Sequence, residues 1–139
     1  MATTLNPYLS FRGQAKQAME FYQSVLGGEL TTMTFAEGMP GSVPAEEQDL
    51  LMHAQLVSPT GLVLMGSDAP MSMAFEVGSN ISISLSGTDE EELTGYYEGL
   101  SAAGAIVEPL AKAPWGDSFG LVDDQFGVHW MFNIGSAPA

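Results

Sequence analysis

The chain carries two histidines, His53 in "LLMHAQLV" and His129 in "VDDQFGVHWMFNI", and no cysteine. A neutral imidazole, with an ordinary pKa of ~6.5, can pass a proton at physiological pH or ligate a metal. Without thiols, thiolate metal sites, cysteine nucleophiles and disulfides are excluded. Alternation in "VHWMFNI" sets Val128, Trp130, Phe132 and Ile134 on one face of a strand and His129, Met131 and Asn133 on the other. In "LLMHAQLV", Met52, Ala54 and Leu56 alternate with His53 and Gln55. Each histidine reads either as a buried imidazole bonded to a neighbour or as a group that touches a ligand or moves a proton. No carboxylate on these faces stands out as an orienting partner. The acidic residues cluster in loops and at helix starts, with Asp117, Asp123 and Asp124 among them. "DDQFG" reads as a turn, with Gly127 at positive φ.

Three further features have two readings each. Trp115 in "APWGDSFG" is either a stacking wall for a planar or cationic ligand or an amphipathic anchor at a dimer seam. Arg12, the sole arginine, either pairs with an anionic ligand or caps the acidic surface beside it, and the cap is favoured. "MGSDAPMSM" lacks the glycine spacing and the lysine of a phosphate loop.

Bulk properties narrow the field. The 139 residues fit one domain, 45% of them are hydrophobic, and the core can be sizeable. Arg12, Lys16 and Lys112 oppose seventeen acidic residues, for a formal net charge of −14. Such a surface repels nucleic-acid phosphates and anionic lipid headgroups. It attracts cations through its long-range field, or it serves solubility alone. "MATTLNPYLSF" has no basic start or long apolar core of a signal peptide, and no apolar run approaches the ~18 residues of a membrane span. The expectation is a cytoplasmic protein with no nucleic-acid or membrane partner.

The elements that must position these residues come in two similar sets. "GQAKQAMEFYQSVLGG" places Ala15, Ala18, Met19, Tyr22, Val25 and Leu26 on one helical face and stops at Gly27–Gly28. "TDEEELTGYYEGLSAAG" does the same with Leu93, Tyr96, Tyr97 and Leu100, ends at Gly104, and opens on a Thr88/Glu91 capping-box pattern. A strand precedes each helix. "NPYLSF" sets Pro7, Leu9 and Phe11 against Asn6, Tyr8 and Ser10, and "NISISL" sets Ile81, Ile83 and Leu85 against Asn80, Ser82 and Ser84. Three strands follow each helix: Glu29–Phe35, Leu50–Val57 and Gly61–Ser67, then Ile106–Leu110, Ser118–Val122 and Val128–Ile134. Residues 37–48 read as a polar loop. The result is a duplicated βαβββ unit within one domain, residues 1–139: a first module at 5–67, a Met-rich connector at 68–78 and a second module at 79–135.

With "PYLSFRGQAKQAMEFYQSVLGGEL", "HAQL", "LMGSD" and "GLVDDQFGVHWMFNI" in this order, the chain resembles the vicinal-oxygen-chelate superfamily of glyoxalases, extradiol dioxygenases and bleomycin-resistance proteins, and within it the PhnB-like subgroup. The resemblance implies an α+β fold, two βαβββ modules forming a cupped mixed sheet with helices outside, and a homodimer. The PhnB-like label implies no established reaction. Metal-dependent members take ligands from four equivalent places, which fall here on Asn6, Met65, Asn80 and Met131. Neutral amides and thioethers are poor partners for zinc or nickel, so no metal and no cofactor are expected. The expected lining of the cup is Tyr8, Ser10, His53, Gln55, Met65, Asn80, Ser82, His129, Met131 and Asn133, with Trp115 and Phe119 at the rim.

The resemblance then implies a metal-free small-molecule binding protein that sequesters a cationic or planar compound, as bleomycin-resistance proteins do by stoichiometric binding. The alternative is a lyase, isomerase or dioxygenase using a non-standard metal site or His53 and His129. A third reading is a dimerising module whose cup is filled by its own side chains.

Overall fold

The structure, a computed structural model, describes residues 3–135. The chain divides into two compact units, one ending at Glu76 and the next beginning at Val77. The first runs β1 (Tyr8–Phe11), α1 (Ala15–Leu26), β2 (Glu29–Thr34), a one-turn helix α2 (Phe35–Gly38), a 3-10 turn (Ala45–Glu47), β3 (Leu51–Val57) and β4 (Val63–Asp68). The second runs β5 (Ile83–Gly87), α3 (Glu90–Ser101), β6 (Ala105–Lys112), β7 (Ser118–Asp123) and β8 (His129–Ile134). Each unit forms one four-stranded mixed sheet, ordered β1-β4-β3-β2 and β5-β8-β7-β6, with the first strand parallel to the last and the others antiparallel. The expected α+β fold of two βαβββ modules is what the chain adopts. Among the described residues no helix is long and apolar enough to cross a membrane.

Each helix packs its apolar stripe on one face of its own sheet. From α1, Ala15, Ala18, Met19, Tyr22 and Leu26 are buried together with Phe11, Ala54, Leu56 and Leu64. From α3, Leu93, Tyr97 and Leu100 are buried with Val122, Trp130, Phe132 and Ile134, and Tyr97 meets Phe132 edge-on at 5.5 Å between centroids. Burying a large apolar side chain contributes about 1.5–3 kcal/mol, so these stripes hold the helices in place. The duplication extends to the helix exits. A β-carbon on Gly28 would lie 1.9 Å from the Val57 carbonyl oxygen, and one on Gly104 would lie 2.2 Å from that of Asp123. In both units the chain leaves its helix against the end of the unit's third strand.

Three sequence expectations need correction. Phe35 does not extend β2: Thr34 accepts from the Glu37 amide while Glu37 reaches back to the Thr34 amide, and this capping box turns the chain into α2. The strand read over Asn80–Leu85 begins only at Ile83, which pairs with Trp130. Its partner β8 starts at His129, so Asn80 and Ile81 have nothing to pair with, and Ile81 stays exposed. The cap of α3 is Asp89, which accepts from the Glu92 amide, in place of Thr88 with Glu91. A carboxylate satisfies that amide and also favours the positive end of the helix dipole.

Candidate functional site

Because α1 covers one face of the first sheet, alternate residues are left on the other. A β-carbon at Gly66 would meet Met19 and Phe11, which fixes Gly66 on the helix side and Met65 and Ser67 opposite. Register then aligns a row across all four strands: Tyr8 beside Met65, Met65 beside Gln55, Gln55 beside Thr31. Neighbouring positions add Ser10 beside Ser67 and Met33 beside His53. Tyr8, Ser10, His53, Gln55 and Met65 therefore share one open sheet face, and Met33, Thr31 and Ser67 join them. The three additions follow from hairpin register, which single-strand alternation does not reveal.

The centre of this face is the Tyr8–His53 pair. The tyrosine hydroxyl lies 3.1 Å from His53 Nδ1, and the rings stack with centroids 5.7 Å apart and planes 29° from parallel. Tyr8 is 49% exposed, so its ring is presented outward. Among the strand positions of the face, the sole carboxylate is Glu29, at the corner beside Val57. The arrangement offers two aromatic faces, polarizable thioethers, and amide and hydroxyl groups to fix orientation. That combination suits a planar, weakly charged molecule.

The open face of the second sheet is different. His129 is registered with Asp123, Met131 with Ser84 and Leu121, and Asn133 with Ser86 and Phe119. His129 Nδ1 contacts Asp123 Oδ1 at 2.5 Å. For His129 this overturns the expectation that no carboxylate stands out as an orienting partner, whereas the partner of His53 is the Tyr8 hydroxyl. Asp123 is the last residue of β7, and antiparallel register sets it directly across from His129. The hydrogen bond to Asp123 raises the His129 pKa above its ordinary value; partial burial opposes the shift, while the charges of Asp123 and Asp124 and a bond to the Gly78 backbone reinforce it. Asn133 is held as well, its Nδ2 donating to Asp117 Oδ2 at 3.0 Å. Trp115 stands 62% exposed in the turn between β6 and β7, edge-on to Phe119 at 5.7 Å. Asn80 and Ser82 precede β5 and belong to no strand.

Several polar groups serve the scaffold. Asp124 is buried and accepts from the amides of Phe126 and Val128 and from Trp130 Nε1 at 2.9 Å, which closes the "DDQFG" turn with Gly127 at φ 85°. Asp68, also buried, accepts from the amides of Gly13 and Ala15 through Oδ1 and from that of Leu51 through Oδ2. Arg12 follows neither of its expected readings. Its guanidinium donates to the carbonyls of Pro70 and Met73 and lies 5.1 Å from the Phe75 ring centroid, so it binds the connector. Asn6 donates locally to Thr4 Oγ1, and the β1 residue beside Met65 is Tyr8. Among the described residues no three histidine, aspartate or glutamate side chains converge as metal ligands.

The comparisons with known proteins agree with one another. The family model for 3-demethylubiquinone-9 3-methyltransferase matches residues 3–132. Protein YjdN of Escherichia coli (strain K12) is 33% identical over 139 residues, covering 94% of each chain. Among solved structures, protein PA1353 from Pseudomonas aeruginosa is 34% identical with a TM-score of 0.84, covering 98% of this chain and 100% of its own. A Bacillus cereus protein described as a putative 3-demethylubiquinone-9 3-methyltransferase, PhnB protein, is 26% identical with a TM-score of 0.74, covering 96% and 100%. A glyoxylase/bleomycin resistance protein/dioxygenase domain from Frankia sp. EAN1pec, 17% identical, shares the fold with a TM-score of 0.66 over 97% of this chain and 98% of its own.

Proposed function

The chain belongs to the 3-demethylubiquinone-9 3-methyltransferase family, the PhnB-like branch of the vicinal-oxygen-chelate superfamily, and on that footing we propose that it binds a planar small molecule without a resident metal. The observation that carries this reading is the open face of the first sheet. There Tyr8 and His53 stack and bond to each other, flanked by Met65, Gln55 and Ser10. A hydrogen-bonded ring pair next to thioether and amide groups gives a planar ligand both apolar area and direction. A cationic compound is the less favoured ligand, because the carboxylate of this face sits at its corner. The same reading has the protein acting in the cytoplasm, as a homodimer that sedimentation velocity would detect.

The test is a melting screen against planar heterocycles, cationic glycopeptides and polyamines, followed by calorimetric titration of each hit. S-adenosylmethionine joins the screen because the family description names a methyl transfer. A ligand at 100 times its Kd adds about 2.7 kcal/mol to the stability of the folded state, a clear rise in melting temperature. The expected hit is planar, and Tyr8→Ala and His53→Ala each weaken it at least tenfold while the variants stay folded. A screen without a hit, or a hit indifferent to both substitutions, refutes the proposal.

One observation favours an enzyme as the second reading. The Asp123–His129 pair has the geometry in which a carboxylate fixes the tautomer and orientation of an imidazole acid–base group. Under that reading His129→Ala abolishes turnover while the variant stays folded.

A further inference from the structure

The end of the second sheet nearest the start of α3 holds a cavity of about 390 Å³. Register builds its floor. Lys112 on β6 pairs with Ser118 on β7, Ser118 with Ile134 on β8, and Ile134 with Gly87 on β5. Directly paired residues share a face, and Ile134 is buried with the α3 stripe. The row therefore lies on the helix side of the sheet, opposite Met131 and Asn133. Because α3 begins only at Glu90, the helix leaves this row uncovered. Thr88 and Glu90 wall the space above it, and Gly116 and Gly135 add bare backbone.

The duplication shows what this place lacks. Ile134 matches Asp68 of the first unit: each ends its strand and pairs with the last residue of the unit's first strand, Gly87 or Phe11. Asp68 sets a carboxylate between sheet and helix start, where it accepts from the Gly13 and Ala15 amides. Ile134 offers no acceptor. The second unit carries nine of the chain's seventeen acidic residues and one cation, Lys112. Among the described residues the sole ion pair is His129 with Asp123, so Lys112 pairs with none of the nine. Glu90 lines the same cavity and still stands too far from Lys112 for an ion pair.

We propose that this cavity binds a free α-amino acid, its carboxylate on Lys112 and the Ser118 and Thr88 hydroxyls and its ammonium on Glu90. The walls hold two opposite charges apart, and a zwitterion answers both. A bare anion would answer Lys112 alone, against Glu90 and the field of the unit's other carboxylates. A zwitterion has no net charge for that field to repel. The volume lies within the range of about 300–1,000 Å³ in which small ligands are held. The helix end does not make the site, since Asp89 already accepts from the Glu92 amide. The cavity is also independent of the planar-ligand reading, whose residues all belong to the first unit.

The probes are the free L-amino acids, titrated one at a time into the 15N-labelled full chain and followed by amide shifts. The expected result is a saturable shift at Thr88, Gly116, Ser118 and Gly135 with at least one of them, while Tyr8 and His53 stay unmoved. The N-acetyl derivative of that amino acid lacks the ammonium and its amide lacks the carboxylate, and each binds at least tenfold more weakly. Lys112→Met and Glu90→Gln alter exposed side chains, leave the fold intact and each weaken binding at least tenfold. Tyr8→Ala leaves it unchanged, which separates this test from that of the planar ligand. Absence of a saturable shift with every amino acid overturns the proposal, and so does binding indifferent to both substitutions. An N-acetyl derivative or inorganic phosphate that binds as tightly as the best amino acid overturns it as well, because the cavity would then be a simple anion site.

Discussion

Replacing Asp68 by asparagine removes one charge and one acceptor while keeping the shape of the side chain. Its carboxylate is 97% buried and accepts three backbone amides: Gly13 at 2.8 Å and Ala15 at 3.0 Å on Oδ1, and Leu51 at 3.0 Å on Oδ2. Asparagine offers one acceptor oxygen. Turned toward Gly13 and Ala15, it points its NH2 at the Leu51 amide and sets donor against donor. The opposite flip leaves two amides unpaired, so the first is preferred. An unsatisfied buried donor costs about 1–3 kcal/mol. The lost negative charge at the start of α1 costs a further ~0.3–1 kcal/mol. Together Asp68→Asn should destabilise the first unit by about 2–3 kcal/mol, and Asp68→Ala, which strands all three amides, by more. At roughly 4–8 °C per kcal/mol for a unit of this size, the melting temperature falls by about 10 °C or more. Urea unfolding at constant slope gives the free energy directly. A change below about 0.5 kcal/mol in Asp68→Asn would refute the assignment of Asp68 as the tie between α1, β3 and β4, and with it this account of how the open face is held.

Three further outcomes follow from the same geometry. Asp123→Asn should lower the His129 pKa, as read by NMR titration of the imidazole, because the hydrogen bond to Asp123 is the main cause of its elevation. In the intact protein the pair's contribution to stability is fully present below the ordinary histidine value of ~6.5 and is lost as pH rises through the elevated folded value, so the wild type should lose more stability than Asp123→Asn across that window. Gly28→Ala should destabilise by at least ~2 kcal/mol in urea unfolding, since the new methyl would strike the Val57 carbonyl and φ at Gly28 is 96°. Tyr8→Phe should leave unfolding unchanged within about 0.5 kcal/mol, because Tyr8 is half exposed, while lowering affinity for the planar ligand in calorimetry.

The sequence carried most of the framework because periodicity is a local property. The α1 stripe from Ala15 to Leu26 and the alternation of Trp130, Phe132 and Ile134 are what their burial shows. Strand ends were less legible because they depend on partners. β5 starts at Ile83, across from Trp130 on β8, and nothing in "NISISL" records where that pairing begins. The Thr34–Glu37 capping box was written in "TFAE", but the β-forming residues before it masked the signal. The site was legible by face and illegible by pairing. His53, Gln55 and Met65 could be assigned to one side, whereas the ring contact of Tyr8 with His53 spans 45 positions of sequence. Asp123 looked like a turn residue because it is followed by Asp124, yet the two carboxylates do different work. Asp124 closes the turn and Asp123 meets His129.

That division of labour bears on what the acidic composition can do. Asp68, Asp124 and Glu47 are buried against backbone amides, Asp89 and Glu37 cap helices, and Asp117 holds Asn133. Each of these charges is already directed at a donor within the chain. The formal −14 therefore sets a long-range field but overstates the carboxylate available to a ligand at contact distance. On the Tyr8–His53 face the contact groups are rings, thioethers, hydroxyls and an amide. Salt separates the two effects. A ligand held by the field loses affinity as ionic strength rises and the ~10 Å screening length at 0.1 M shortens, whereas one held by stacking and burial does not. If the best ligand of this protein binds with a steep salt dependence, the planar-ligand reading fails and attraction of a cation takes its place.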